Sequence, residues 1–137
     1  MTCSTCGEPL HATGCARCLA QSLDALGRLT FNRALELARE GEVRAAEETL
    51  CAACSLMPTA VAPRRALGKL RARAGDLEGA EVDLSLATHL GPDDADARAA
   101  LAGVQRALRL RRLRDGGLAL AAMSALVASF ALSRSWP

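Results

Sequence analysis

The sequence predicts an all-α chain: two helical hairpins and a capping helix, set between a small four-cysteine knuckle and a C-terminal apolar helix. Three observations predict it. Half of the 137 residues are hydrophobic, mostly Ala and Leu, and the aromatics are only Phe31, Phe130 and Trp136. So few aromatic and β-branched residues disfavour sheets and favour helices packed closely on small side chains. The middle of the chain repeats itself, and four cysteines crowd its first 18 residues.

The repeat sets the architecture. Gly41 and Gly75, Ala46 and Ala80, Leu50 and Leu84, Ala53 and Ala87, and Pro58 and Pro92 are each separated by 34 positions. Each copy reads as a helix, a glycine-assisted turn, a second helix, and a proline that cannot continue it. The Ala positions let the two helices approach, and the Leu between them fills the seam. The predicted helices are 19–40, 42–56, 61–74, 77–90 and 95–114. The last lacks a turn glycine, since Arg109 stands there, so it is expected to cap the stack.

The second copy carries Leu67-Gly68, the turn Gly75-Asp76-Leu77-Glu78, Ala80, Ala87 and Pro92, and with these it resembles the tetratricopeptide repeat family. The resemblance covers about residues 27–110. It departs from the family at the bulky aromatics of the first helix, where Thr30 and Arg64, then Leu37 and Arg71, stand instead. The first copy also has Arg33-Ala34 where Leu-Gly is usual, and the third start has Leu101-Ala102.

The N-terminal cysteines read Cys3-x2-Cys6-x8-Cys15-x2-Cys18. Two Cys-x2-Cys turns supply four thiolates, the complete tetrahedral shell of a structural Zn2+, with Gly7 and Gly14 at the tight bends. Four thiolates leave no open position for catalysis. His11, between the pairs, reads as an exposed loop residue. A segment this short buries no core, so the metal is expected to supply its folding energy. Residues 1–14 lack the apolar core of a signal peptide, so a reducing compartment is expected. Cys51 and Cys54 fall late in a predicted helix rather than at its start, and read as small buried residues, not a redox pair.

Net charge is +2, too small to imply nucleic acid. Its distribution says more. Helix 61–74 holds Arg64, Arg65, Lys69, Arg71 and Arg73 without an acid, whereas 77–90 holds Glu78, Glu81 and Asp83 without a Lys or Arg. The family resemblance implies that first helices line a concave groove and second helices its convex back. Its groove positions fall on Arg28, Phe31, Arg39, Arg65, Lys69, Arg73 and Arg106, which implies an acidic peptide or carboxylate as partner. The Asn and Lys clamp of chaperone-binding relatives is not matched, because Leu35, Ala66 and Gly103 occupy most of its positions.

Residues 116–133 carry no charge. Arg109, Arg111, Arg112 and Arg114 precede them and Trp136 follows, as basic and aromatic flanks of a membrane anchor would. Three units are therefore expected: a zinc knuckle over 1–18, the repeat domain over 19–114, and an anchor over 115–137. No nucleophile–base pair, phosphate loop, carboxylate dyad or open metal site is legible, which argues against an enzyme and a small-molecule substrate. The expected function is a protein–protein interaction scaffold, tethered at the cytoplasmic face of a bacterial inner membrane and recruiting an acidic segment. The alternatives are a soluble cytoplasmic zinc-knuckle regulator binding nucleic acid, or a structural subunit that buries the C-terminal helix. The knuckle's lack of stacking aromatics and the acidic second helices speak against nucleic acid.

Overall fold

The computed structural model describes residues 2–9 and 15–134, with side chains as far as residue 116. Among them are five helices: α1 (Ala16–Glu40), α2 (Val43–Leu56), α3 (Val61–Ala74), α4 (Leu77–Leu90) and α5 (Ala95–Arg134). Each helix packs on the next along the chain, so the fold is a stack of two hairpins closed by α5.

The two turns are built alike. Gly41 and Gly75 take left-handed backbone conformations (φ 86° and 90°) that a Cβ disfavours. Beyond them, the Glu42 amide donates to the Leu37 carbonyl and the Asp76 amide to the Arg71 carbonyl, both at 3.0 Å. These are Schellman closures, and they satisfy carbonyls that the helix ends leave open. Asp76 then caps α4, its Oδ1 accepting from the Gly79 amide at 3.0 Å.

The repeat-related positions face inward together. Ala46, Ala53, Ala80, Ala87 and the paired Leu50 and Leu84 are all at most 1 % exposed. Burying each leucine contributes about 2 kcal/mol. The helices come close enough that a Cβ on Gly68 would stand 2.6 Å from Leu84 Cγ, so α4 crosses α3 where α3 has no side chain.

In the second copy, the two positions where the family resemblance expects aromatics hold ions instead. Arg71 on α3 donates through Nε to Glu47 of α2 and through Nη1 to Asp83 of α4, both at 2.8 Å. Arg64 reaches the other oxygen of Asp83 at 3.5 Å. Asp83 is 4 % exposed. The sequence places Asp83 among the acids of a second helix on the convex back; in the fold Asp83 is buried against Arg71 and Arg64 of α3, and Arg71 carries the tie on to Glu47 of α2. Burial pushes the Asp83 carboxyl pKa up, against the pull of Arg71 and Arg64.

Two expected boundaries shift. Helix α1 starts at Ala16, three residues before the expected start at 19, so Cys18 lies in its first turn. Helix α5 runs through residue 114 and Gly116-Gly117 to Arg134 as one 40-residue helix. The flanking Leu, Ala and Arg are strong helix formers, which offsets the roughly 1 kcal/mol each glycine costs. Among the residues whose side chains are described, which end at 116, no helix is long and apolar enough to cross a membrane. The side chains of 117–134 and all of 135–137, Trp136 included, lie outside the described residues, and the expected anchor falls on them. Of its basic flank, Arg109, Arg112 and Arg114 are exposed, and Arg111 pairs with Glu78 at 3.5 Å.

Candidate metal centre and helical groove

The four N-terminal cysteines come from two different local structures. Cys3 and Cys6 sit in a tight turn, closed by the Cys3 amide on the Glu8 carbonyl (2.8 Å) and the Gly7 amide on the Cys3 carbonyl (2.9 Å). Cys15 is the residue before α1, and Cys18 lies in that helix's first turn. An exposed pair between Arg17 and Glu8 (3.3 Å) bridges the two halves.

The four sulfurs all lie within 4.8 Å of one another. Sγ of Cys6 stands 3.2 Å from that of Cys15 and 3.5 Å from that of Cys18, and Cys3 to Cys18 is 3.7 Å. These separations far exceed a disulfide bond of about 2 Å. They approach the roughly 3.8 Å edge of a tetrahedron whose sulfurs lie about 2.3 Å from a central ion. The donor set therefore fits a metal ion, and Cys3, Cys6, Cys15 and Cys18 are the residues that could hold it.

The thiols on their own are mismatched in acidity. Cys3 is lowered to about 6 because the amides of Thr5 and Cys6 donate to it. Cys15 is lowered first by the Cys18 amide. The Glu8 amide favours a Cys6 thiolate, but sharing with the Cys15 sulfur, together with desolvation and Cys3, raises it overall. Cys18 is pushed up to about 12, because it shares its proton with Cys6, Cys3 and Cys15. Four thiolates this close repel one another, and a cation at their centre removes that conflict.

His11 lies outside the described residues. Cys54 is 2 % exposed within the core cluster of Ala34, Ala46, Leu50, Leu67 and Leu70, and Cys51 packs against it. Burial pushes the Cys54 thiol up, as expected for a small apolar residue rather than a reactive one.

The seven expected groove residues divide by fate. Lys69 and Arg73 lie together on α3, between two apolar hollows. One is lined by Leu35, Ala38 and Leu50, the other, of about 410 Å3, by Leu77, Ala100 and Val104. Arg65, by contrast, is held by Asp94 at 2.6 Å, and Asp96 takes Lys69 at 2.6 Å. Arg28 pairs along its own helix with Asp24 at 2.7 Å. Phe31 packs half-buried against the first core cluster. Arg39, Arg73 and Arg106 are exposed and make no ion pair among the described residues.

The acids that face this groove escaped the sequence. Asp94 caps α5, its Oδ1 accepting from the Asp96 and Ala97 amides at 3.1 and 2.9 Å. That capping and its bond to Arg65 lower its carboxyl pKa. The run Asp93-Asp94-Ala95-Asp96 was legible as a helix start, and helix starts are where free acids collect. Its pairing across to α3 depends on the stacking angle, which no local pattern encodes. No protein-family model matches the chain, and no curated protein matches it.

Proposed function

We propose that this chain is a non-enzymatic protein–protein adaptor of the tetratricopeptide type, stabilised at its N-terminus by a structural zinc ion. The observation that carries the adaptor reading is the placement of Lys69 and Arg73 between two apolar hollows on the α1, α3 and α5 side. A groove of that make suits an extended acidic segment with apolar neighbours, since carboxylates meet the cations and side chains fill the hollows. Asp94 and Asp96 already neutralise much of Arg65 and Lys69, so Arg73 is the main free cation. They also make the groove selective, because a weakly acidic ligand gains little by displacing them.

For the metal, four sulfurs at near-tetrahedral spacing, with no other donor in the cluster among the described residues, favour zinc held for structure. When bound, the ion would stabilise all four thiolates and close the turn onto the start of α1. The chain's own residues do the rest: the Thr5, Cys6, Glu8 and Cys18 amides orient the sulfurs.

The test is affinity capture from native cells with the full chain against Lys69→Glu/Arg73→Glu. The adaptor reading expects a protein with an acidic segment to be recovered by the wild type and lost with the variant. An identical catch from both would end it.

A further inference from the structure

Among the described residues, the 34-residue repeat leaves one face of α5 uncovered. Ala34, Gly68 and Ala102 are equivalent positions, each 34 apart. Ala34 is fully buried in the cluster that α2 forms with α1, and α4 lies directly on Gly68. Ala102 is exposed. The helix that would cover it, the second of a third hairpin, is not among the helices packed on α5.

The uncovered face is basic. Ala102, Gln105, Arg109 and Arg112 follow one another at three- and four-residue spacing, which puts them on one stripe of the helix. Three adjoining hollows along it share Gln105, and the largest, of about 550 Å3, is walled by α4. Among the described residues Arg106, Arg109 and Arg112 make no ion pair, and Glu81 is the acid at the rim. Second helices of this chain answer arginines with carboxylates: α2 offers Glu47 and α4 offers Asp83, both to Arg71. The chain's own residues 116–133 carry no charge.

We infer that the Ala102–Arg112 stripe seats an acidic amphipathic helix of another protein, in the place of a missing third second-helix. This docking surface is separate from the Lys69–Arg73 groove. The fit requires a helix of about four turns, with small residues over Ala102 and carboxylates toward Arg109 and Arg112.

The probe is a labelled peptide of residues 76–91 of this chain. It carries the Ala80–Leu84–Ala87 seam with Glu78, Glu81 and Asp83. A hydrocarbon staple replacing exposed Val82 and Leu86, four apart, keeps it helical. Fluorescence anisotropy against the full chain should give saturable binding. It should weaken about tenfold or more with Arg109→Glu/Arg112→Glu and with Ala102→Trp. A peptide with Lys in place of Glu78, Glu81 and Asp83 should bind the charge-reversed variant instead. Lys69→Glu/Arg73→Glu should leave binding unchanged. Absence of saturable binding, or binding indifferent to the α5 variants, would overturn the inference. So would binding that needs deletion of 118–137, since the chain's own tail would then own the seat. Loss of binding only in the Lys69/Arg73 variant would also overturn it, while leaving the groove reading intact.

Discussion

Asp83 offers a sharp test because its charge and its hydrogen bonding pull in opposite directions. The carboxylate is 4 % exposed and holds Arg71 at 2.8 Å and Arg64 at 3.5 Å. Its pKa is nevertheless raised, because burial outweighs both arginines. Asp83→Asn keeps one oxygen acceptor for Arg71 but turns an amide N–H donor on Arg64 and removes the counter-charge, so its cost should be intermediate, about 1–2 kcal/mol. Asp83→Leu leaves two arginines, each roughly a quarter exposed, facing an apolar group. Loss of one partner from a fully buried pair costs about 3–5 kcal/mol, and the residual exposure discounts that to about 2–3. With a urea slope of about 1–1.5 kcal/mol/M, Leu should lower the unfolding midpoint by about 2 M, and Asn by about 1 M. The sign with pH follows from the raised folded pKa. A carboxyl that binds its proton more readily when folded gains relative stability as pH falls through the folded value toward the unfolded one, near 4. Wild type should therefore gain on Asp83→Asn upon acidification. Equal costs for Asn and Leu at neutral pH, or a wild-type advantage that shrinks in acid, would refute this account of the buried pair.

Four further outcomes can be checked on the purified chain. Leu84→Ala should destabilise by about 2–5 kcal/mol while Val82→Ser, on the exposed side of α4, stays within about 0.5, both by urea unfolding. Gly41→Ala and Gly75→Ala should each cost about 1 kcal/mol, because both turns need positive φ; a stabilised variant would contradict the turn assignment. Zinc added to metal-free protein at pH 7 should bind one ion per chain and release close to four protons, because the thiols of an unfolded knuckle titrate at about 8.5 and all four must become thiolates. Removing it with chelator should erase amide dispersion from residues 2–9 and leave helices α2–α4 intact; a knuckle that keeps its dispersion without metal would contradict its dependence on the ion.

Much of the fold was legible because its determinants are local. The Gly41/Gly75 and Pro58/Pro92 punctuation placed α2, α3 and α4 within a residue of their observed ends. The cysteine spacing likewise brought Cys3, Cys6, Cys15 and Cys18 together, since each pair spans a single turn of chain. What was not legible depends on how helices meet. Asp83 looked like its exposed neighbour Glu78 until the stacking of α3 on α4 turned it inward onto Arg64 and Arg71. Arg65 and Lys69 looked like free groove cations until α5 brought Asp94 and Asp96 beside them. Continuous helix through Gly116-Gly117 was missed for a different reason. Two glycines weaken a helix without breaking it when good formers stand on both sides.

The central claim is that the groove around Lys69 and Arg73 recognises acidic segments. Selection of a random peptide library on the immobilised full chain, with Lys69→Glu/Arg73→Glu in parallel, tests it most directly. The account predicts that wild type enriches sequences with Asp or Glu beside apolar residues and that the variant loses them. Enrichment of the same sequences by both proteins, or no acidic preference in either, would contradict it.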